Sequence, residues 1–181
     1  MYSKIILPFP RSYWIIPGKF LAGHVPTDKD MFLSDKKISN LLNLGINCFI
    51  NLQDKNEKDD DGNLFPKYED ILDDISKSQG RKICFYRFPV TDLSTPSKEF
   101  MKEILDTIDN SINKGLNVYI HCWGGIGRTG TVVGCYLIRH KMASKDNVIR
   151  MIEYLRRTDP KTERISPETE EQIKFVQNWD E

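Results

Sequence analysis

Short apolar runs bounded by turn residues alternate along the chain with longer segments whose apolar positions recur every three to four residues. That is the rhythm of strands joined by crossover helices in a mostly parallel sheet. Residues 13–16 (YWII) and 20–22 (FLA) flank Pro17-Gly18, a dipeptide suited to a tight turn, and predict an N-terminal hairpin or paired edge strands. Further strands are predicted over 48–52, 83–88 and 117–121. Between the last two, Thr95-Pro96 reads as an N-cap followed by proline at the first helical position. Phe100, Met101, Ile104, Leu105, Ile108 and Ile112 then share one stripe that Gly115 ends. Ser144 is expected to cap a second amphipathic helix carrying Val148, Ile149, Ile152 and Leu155, and Ser166-Pro167 to start a third with an acidic first turn. No repeat or low-complexity linker interrupts the pattern, so residues 1–181 are expected to form a single α/β domain, a mostly parallel central sheet flanked by helices.

Composition narrows the partners. With 39% hydrophobic and 29% charged residues the chain can bury a core, and its 26 Lys and Arg balance 26 Asp and Glu. Without a basic surplus no nucleic-acid binding is expected, and any anion has to be recognised locally. Cys48, Cys84, Cys122 and Cys135 show no paired spacing, which predicts reduced thiols and a cytoplasmic setting. The N-terminal stretch MYSKIILPFPRSY, broken by Pro8 and Pro10, does not read as a secretory leader, and no run approaches the roughly 18 apolar residues of a membrane span. The most charged stretch, DKNEKDDDGN at 54–63, reads as a solvated loop. Set against a calcium loop it puts Glu57 first and Tyr68 where a bidentate glutamate belongs, so no metal is inferred.

The chemistry concentrates in VYIHCWGGIGRTGTVVGCYLIRHKM, residues 118–142: a buried strand, a glycine-rich turn and a helix that starts near Arg128. Gly124, Gly125 and Gly127 allow the turn to close so that successive N–H groups face one anion, and the helix adds the positive end of its dipole. Val132, Val133, Cys135, Tyr136, Leu137 and Ile138 make that helix apolar nearly all round, hence interior. A cysteine at the mouth of such a cradle meets N–H dipoles and a guanidinium, which favour thiolate near neutral pH. Arg128 offers the planar fork that holds two phosphate oxygens at once.

His121-Cys122-x5-Arg128-Thr129 resembles the active-site signature of cysteine-dependent protein tyrosine phosphatases, in particular their compact dual-specificity-like branch. The order of elements is similar over residues 13–179 and the motif likeness is densest over 83–142. The position of the loop sets the low-molecular-weight relatives aside. The resemblance implies a phosphoric monoester hydrolase with Cys122 as nucleophile, Arg128 with the 123–127 loop (Trp123, Gly124, Gly125, Ile126, Gly127) holding the phosphate, and Thr129 bonding to the sulfur. It implies a general acid 30 positions before the cysteine, which is Asp92 in PVTDLSTPS, although an aspartate there can also simply cap a turn. It further implies no metal or cofactor, a phosphorylated protein or small phosphate ester as partner, and a monomer.

Lesser candidates have two readings each. His121 is expected to buttress the loop by hydrogen bonding. Gln172 shares a helical face with Val176 and Trp179 and points inward, either beside the hydrolytic water or as a satisfied buried amide. Trp123 either packs inward or shapes the pocket rim, and His24 reads as a surface turn residue. Cys48 and Cys84 read as core residues, a disulfide from either to Cys122 being left open. The loop interior has none of the lysines that phosphoinositide-directed relatives carry, which favours phosphotyrosine proteins, with phosphoserine and phosphothreonine admissible in a shallow site. A lipid or RNA-end phosphatase, a rhodanese-like sulfurtransferase and a non-catalytic phosphate-binding module are the rivals.

Overall fold

In the computed structural model, which describes residues 6–181, four parallel strands and one antiparallel edge strand form a single sheet. The first five residues of the stretch inspected for a leader lie outside the described residues. The hairpin comes first: β1 (Ser12–Ile16) pairs antiparallel with β2 (Phe20–Gly23) around the Pro17-Gly18 turn, where Gly18 has φ +74°. Then follow α1 (Met31–Asn43), β3 (Cys48–Asn51), α2 (Glu69–Gln79), β4 (Cys84–Arg87), α3 (Lys98–Asn113), β5 (Val118–His121), α4 (Gly127–Arg139), α5 (Val148–Leu155) and α6 (Glu170–Gln177). The strand order is β1-β2-β5-β3-β4, so β5 inserts between β2 and β3 and ends at the middle of the sheet.

Alternation along the strands sorts the core into two layers. Phe20, Ala22, Cys48, Ile50, Val118 and Ile120 face the layer built with α3, α4, α5 and α6. Leu21, Phe49 and Tyr119, one position along, face α1 and α2. Both faces of the sheet are covered, as a parallel sheet requires. No helix among the described residues is long and apolar enough to cross a membrane.

Three helix starts differ from the sequence expectation. The cap of α3 is Ser97, whose Oγ accepts from Phe100 N at 3.1 Å, two residues after Thr95. Ser144 opens a turn: its N–H donates to Asn147 Oδ1 and its carbonyl accepts from Val148 N, so α5 begins three residues after the expected first turn. The third helix starts beyond Ser166-Pro167, where Thr169 and Gln172 form a reciprocal capping box. Helices α1 and α2 escape the periodicity for opposite reasons. Met31, Phe32 and Leu33 are exposed and blur the stripe of α1, whereas α2 buries only Leu72 and is otherwise dominated by polar residues.

Close approach of α6 to α4 depends on Gly134, where a Cβ would lie 2.6 Å from Val176 Cγ1. Gly134→Ala is therefore expected to destabilise the protein by about 1–3 kcal/mol despite the better helix propensity of alanine, measured by urea unfolding.

Candidate active site

The carboxyl ends of β3, β4 and β5 deliver three loops to one edge of the sheet, and their side chains meet around Arg128. Cys122 follows β5 directly, is 2% exposed, and lines a cavity of about 330 Å³ together with Asp92, Trp123, Gly124 and Gly127. The turn that follows is fixed by Gly125, at φ +69°. A Cβ there would lie 2.4 Å from the carbonyl carbon of Gly23 and 2.7 Å from His24 N, so only glycine lets the loop pass the hairpin. Arg11 holds the same loop from the rim, donating from Nη2 to Gly124 O at 2.7 Å. Among the described residues the N–H groups of Gly124 to Thr129 meet no protein acceptor, so they remain as donors at the start of α4.

Arg128 is buried and its fork is divided. Nη1 and Nη2 donate to the two carboxylate oxygens of Glu57 at 2.6 and 2.8 Å, and Nη1 also donates to Val90 O. Asp92 Oδ1 lies 2.9 Å from Nη2, while the buried Nε has no partner among the described residues. Burial works against the charge of this guanidinium, but the Glu57 bonds and the nearby Cys122 and Asp92 more than offset it and hold its pKa above the ordinary value. The end of the fork thus belongs to Glu57, and the side formed by Nε and Nη2 is left for Asp92 and an incoming oxyanion.

Glu57 is the residue that sequence reasoning missed. The charged stretch 54–63 is not merely a solvated loop, because its one glutamate turns inward to a partner 71 positions away. Gln53, itself 2% exposed, bonds Glu57 Oε1 at 3.0 Å and fixes the carboxylate. A buried arginine must find a counter-charge, which is the one signal that pointed to such a partner without naming it.

The loop that carries Asp92 is tied to α6. Leu93 has φ +61°, a strained conformation for a large side chain, and the turn is clamped by Thr169 Oγ1 on Leu93 O and by Gln172 Nε2 on Ser94 O at 3.1 Å. Gln172 Oε1 accepts from Glu168 N and Thr169 N, so this glutamine is a satisfied buried amide. The Oγ1 of Thr129 is buried with no partner among the described residues, and a bond from it to the sulfur is not formed. Trp123 is half-buried, edge-on to Phe65 at 5.4 Å. His24 is no simple surface turn residue, since it lines the cavity with its ring bonded to Val25 O. The possible disulfide to Cys122 is excluded: Cys48 and Cys84 pair in register with each other at the amino ends of their strands, level with Val118. Four residues of strand, about 13 Å, then separate them from Cys122, against the roughly 7 Å that a disulfide can span.

His121 is buried, and its Nδ1 donates to Cys122 O at 2.9 Å while its Nε2 accepts from Tyr68 Oη at 2.5 Å. Burial lowers its pKa to about 3 and that of His24 to about 4. Both lie below the ordinary 6.5 or so, so the unfolded chain takes up protons first as pH falls. Their contribution is complete above about pH 6.5 and is lost on acidification towards pH 4 and then 3. Urea unfolding between pH 7 and 5 is expected to show stability falling by roughly 1–3 kcal/mol per unit near the lower end.

Comparison with known proteins places these residues in a family. Residues 24–142 match the family model described as "Polymorphic toxin system, DSP-PTPase phosphatase". The mouse dual specificity protein phosphatase CDC14B is 41% identical over 58 residues, covering 32% of this chain and 11% of that protein. Mouse CDC14A is 28% identical over 144 residues, covering 79% of this chain and 22% of that protein. This chain therefore spans less than a quarter of the length of either relative. The crystal structure of Tk-PTP in its active form superposes with a TM-score of 0.67 at 23% identity, covering 93% of this chain and 95% of that one, which is likeness of fold. With more than half of its length matching the family model, and with the expected sheet and loop in place, the chain belongs to the DSP-PTPase phosphatase family, within the cysteine-based tyrosine and dual-specificity phosphatases.

Proposed function

We propose that residues 1–181 act as one catalytic domain that hydrolyses phosphoric monoesters on proteins, at phosphotyrosine and also phosphoserine or phosphothreonine, through a phosphocysteine intermediate. The observation that carries this reading is that Cys122 and Asp92 line one cavity while Asp92 Oδ1 lies 2.9 Å from Nη2 of the buried Arg128, whose Nε has no partner among the described residues.

In the first step the Cys122 thiolate attacks phosphorus in line, a sulfur–phosphorus bond forms and the bond to the leaving oxygen breaks. Arg128 and the loop N–H groups hold the equatorial oxygens, where charge accumulates in the transition state. A phosphate that takes the side of the fork displaces Asp92 towards the leaving oxygen; parted from the guanidinium, its carboxylate takes a proton from solvent and passes it to that oxygen. In the second step the Asp92 carboxylate takes a proton from water, the water oxygen attacks phosphorus, and the sulfur leaves as thiolate. The positive charge this chemistry needs comes from the chain itself. Sulfur transfer would give the Asp92 carboxyl beside Arg128 no task, which favours phosphoryl transfer over the rhodanese-like alternative. Glu57, fixed by Gln53, acts as a positioning residue by setting the plane of the guanidinium.

With chelator present, wild-type protein is expected to hydrolyse an aryl phosphate and phosphotyrosine peptides, and Cys122→Ser to abolish turnover. Asp92→Ala should slow turnover by about 10²–10⁴-fold while inorganic phosphate still binds, because its departure frees Arg128. Full activity of the serine variant would overturn the mechanism. Glu57→Gln, which removes the counter-charge and leaves the fork one acceptor oxygen in place of two, is expected to lower kcat/KM by roughly 10–100-fold with a parallel loss of phosphate inhibition. Unchanged inhibition by phosphate would show that Glu57 does not set the guanidinium.

A further inference from the structure

Cys48 and Cys84 take no part in the chemistry proposed above, yet the sheet sets them side by side. Each is the first residue of its strand, and the two are paired in register across the adjacent parallel strands β3 and β4. Neighbouring strands lie about 4.8 Å apart, and paired positions send their side chains to the same face. Both face the layer that contains α3: Cys48 is buried in that core, and Cys84 packs against it. A disulfide needs Cα atoms roughly 4.4–6.8 Å apart and side chains directed to a common side, and the pairing supplies both. The two thiols differ in access. Cys84 is half-buried on the edge strand, whereas Cys48 is fully buried and its thiol donates to Ser111 Oγ at 3.5 Å. Burial pushes the Cys48 thiol up to about 11, so Cys84 is the sulfur that meets an oxidant and Cys48 the one that follows. Strand β4 is also the one with most to gain from a tie, because it lies at the edge of the sheet and none of its four residues is fully buried.

We propose that Cys48 and Cys84 are a site of oxidative modification, at which a hydroperoxide converts the two thiols to a reversible disulfide that staples β4 to β3. In the first step the Cys84 sulfur takes one oxygen of the peroxide as its O–O bond breaks. Cys84 becomes a sulfenic acid, and the other oxygen leaves with the thiol proton, as water from hydrogen peroxide or as an alcohol from an organic one. In the second step the Cys48 sulfur attacks that of Cys84 and the S–O bond breaks. The hydroxyl departs with the Cys48 proton as water, so the two cysteines together lose two electrons and the peroxide gains them. The bridge closes the segment 49–83, which contains Tyr68 and Glu57, and so removes conformations from the unfolded chain. It forms at the amino ends of the strands, about 13 Å from the carboxyl ends where Cys122 stands, and leaves the catalytic cavity as it is.

The test treats the full chain carrying Cys122→Ser with hydrogen peroxide, so that oxidation of the active-site thiol does not enter the result. Remaining thiols are blocked, the monomer is isolated by non-reducing electrophoresis, and its tryptic peptides are mapped without reduction. The expected product is peptide 38–55 linked to peptide 83–87, lighter than their sum by two hydrogens and parted by dithiothreitol. The oxidised protein is expected to melt roughly 3–10 °C above the reduced one, and dithiothreitol to abolish the difference. Cys48→Ala and Cys84→Ala, each added to the same background, should show neither the linked peptides nor the rise. Each variant is compared with itself before and after peroxide, which separates the bridge from any cost of the substitution. Cys84 recovered as thiol, as sulfinic acid or bonded to another cysteine overturns the proposal, and so does a linked protein that melts no higher than the reduced one.

Discussion

A guanidinium whose side chain is 1% exposed stays in a protein interior only if carboxylates and carbonyls come to it, and Arg128 draws them from three separate loops. Glu57 comes from the loop after β3, Val90 and Asp92 from the loop after β4, and Cys122 from the end of β5. Because these strands are adjacent and parallel, their carboxyl ends open on one edge, and charges distant in sequence can meet there at hydrogen-bond distance. The pairing also orients the group. A planar fork engaged end-on by Glu57 has one side left in which to receive a second anion, the side of Nε and Nη2 where Asp92 already lies.

The rest of the fold steadies that arrangement from several sides. The hairpin supports the loop from below at Gly125 and from the rim through Arg11. From the α1/α2 layer, Tyr68 and His121 form a buried chain ending on the carbonyl of Cys122. From the opposite layer, the capping glutamine of α6 also holds the turn after Asp92, so one side chain both starts a helix and positions a loop. The left-handed backbone at Leu93 is maintained by those clamps. Such strain is tolerated where surrounding contacts over-determine the conformation, and here it sits next to the carboxyl proposed to move a proton.

The strands, the crossover helix α3 and the buried helix α4 were legible because each buries an apolar face whose period survives in the sequence. The helix starts were not, because serine, threonine and proline recur near each start, and only the realised hydrogen bonds distinguish Ser97 from Thr95 or Thr169 from Ser166. Helices α1 and α2 were hidden by exposed apolar residues in one and by scarce apolar residues in the other.

At the site, local order in the chain was enough to identify the cradle. Cys122, the glycines and Arg128 lie within seven consecutive positions between a buried strand and a buried helix, so their juxtaposition follows from the turn itself. Which carboxylate balances Arg128 could be decided only by the packed sheet, since Glu57 is one of several acidic residues in a stretch whose sequence looks uniformly solvated. The fates of Gln172, His24 and the other cysteines were likewise left to tertiary structure. Short-range geometry is written in covalent spacing, whereas the pairing of buried charges and amides depends on which loops a completed sheet brings within about 3 Å of one another.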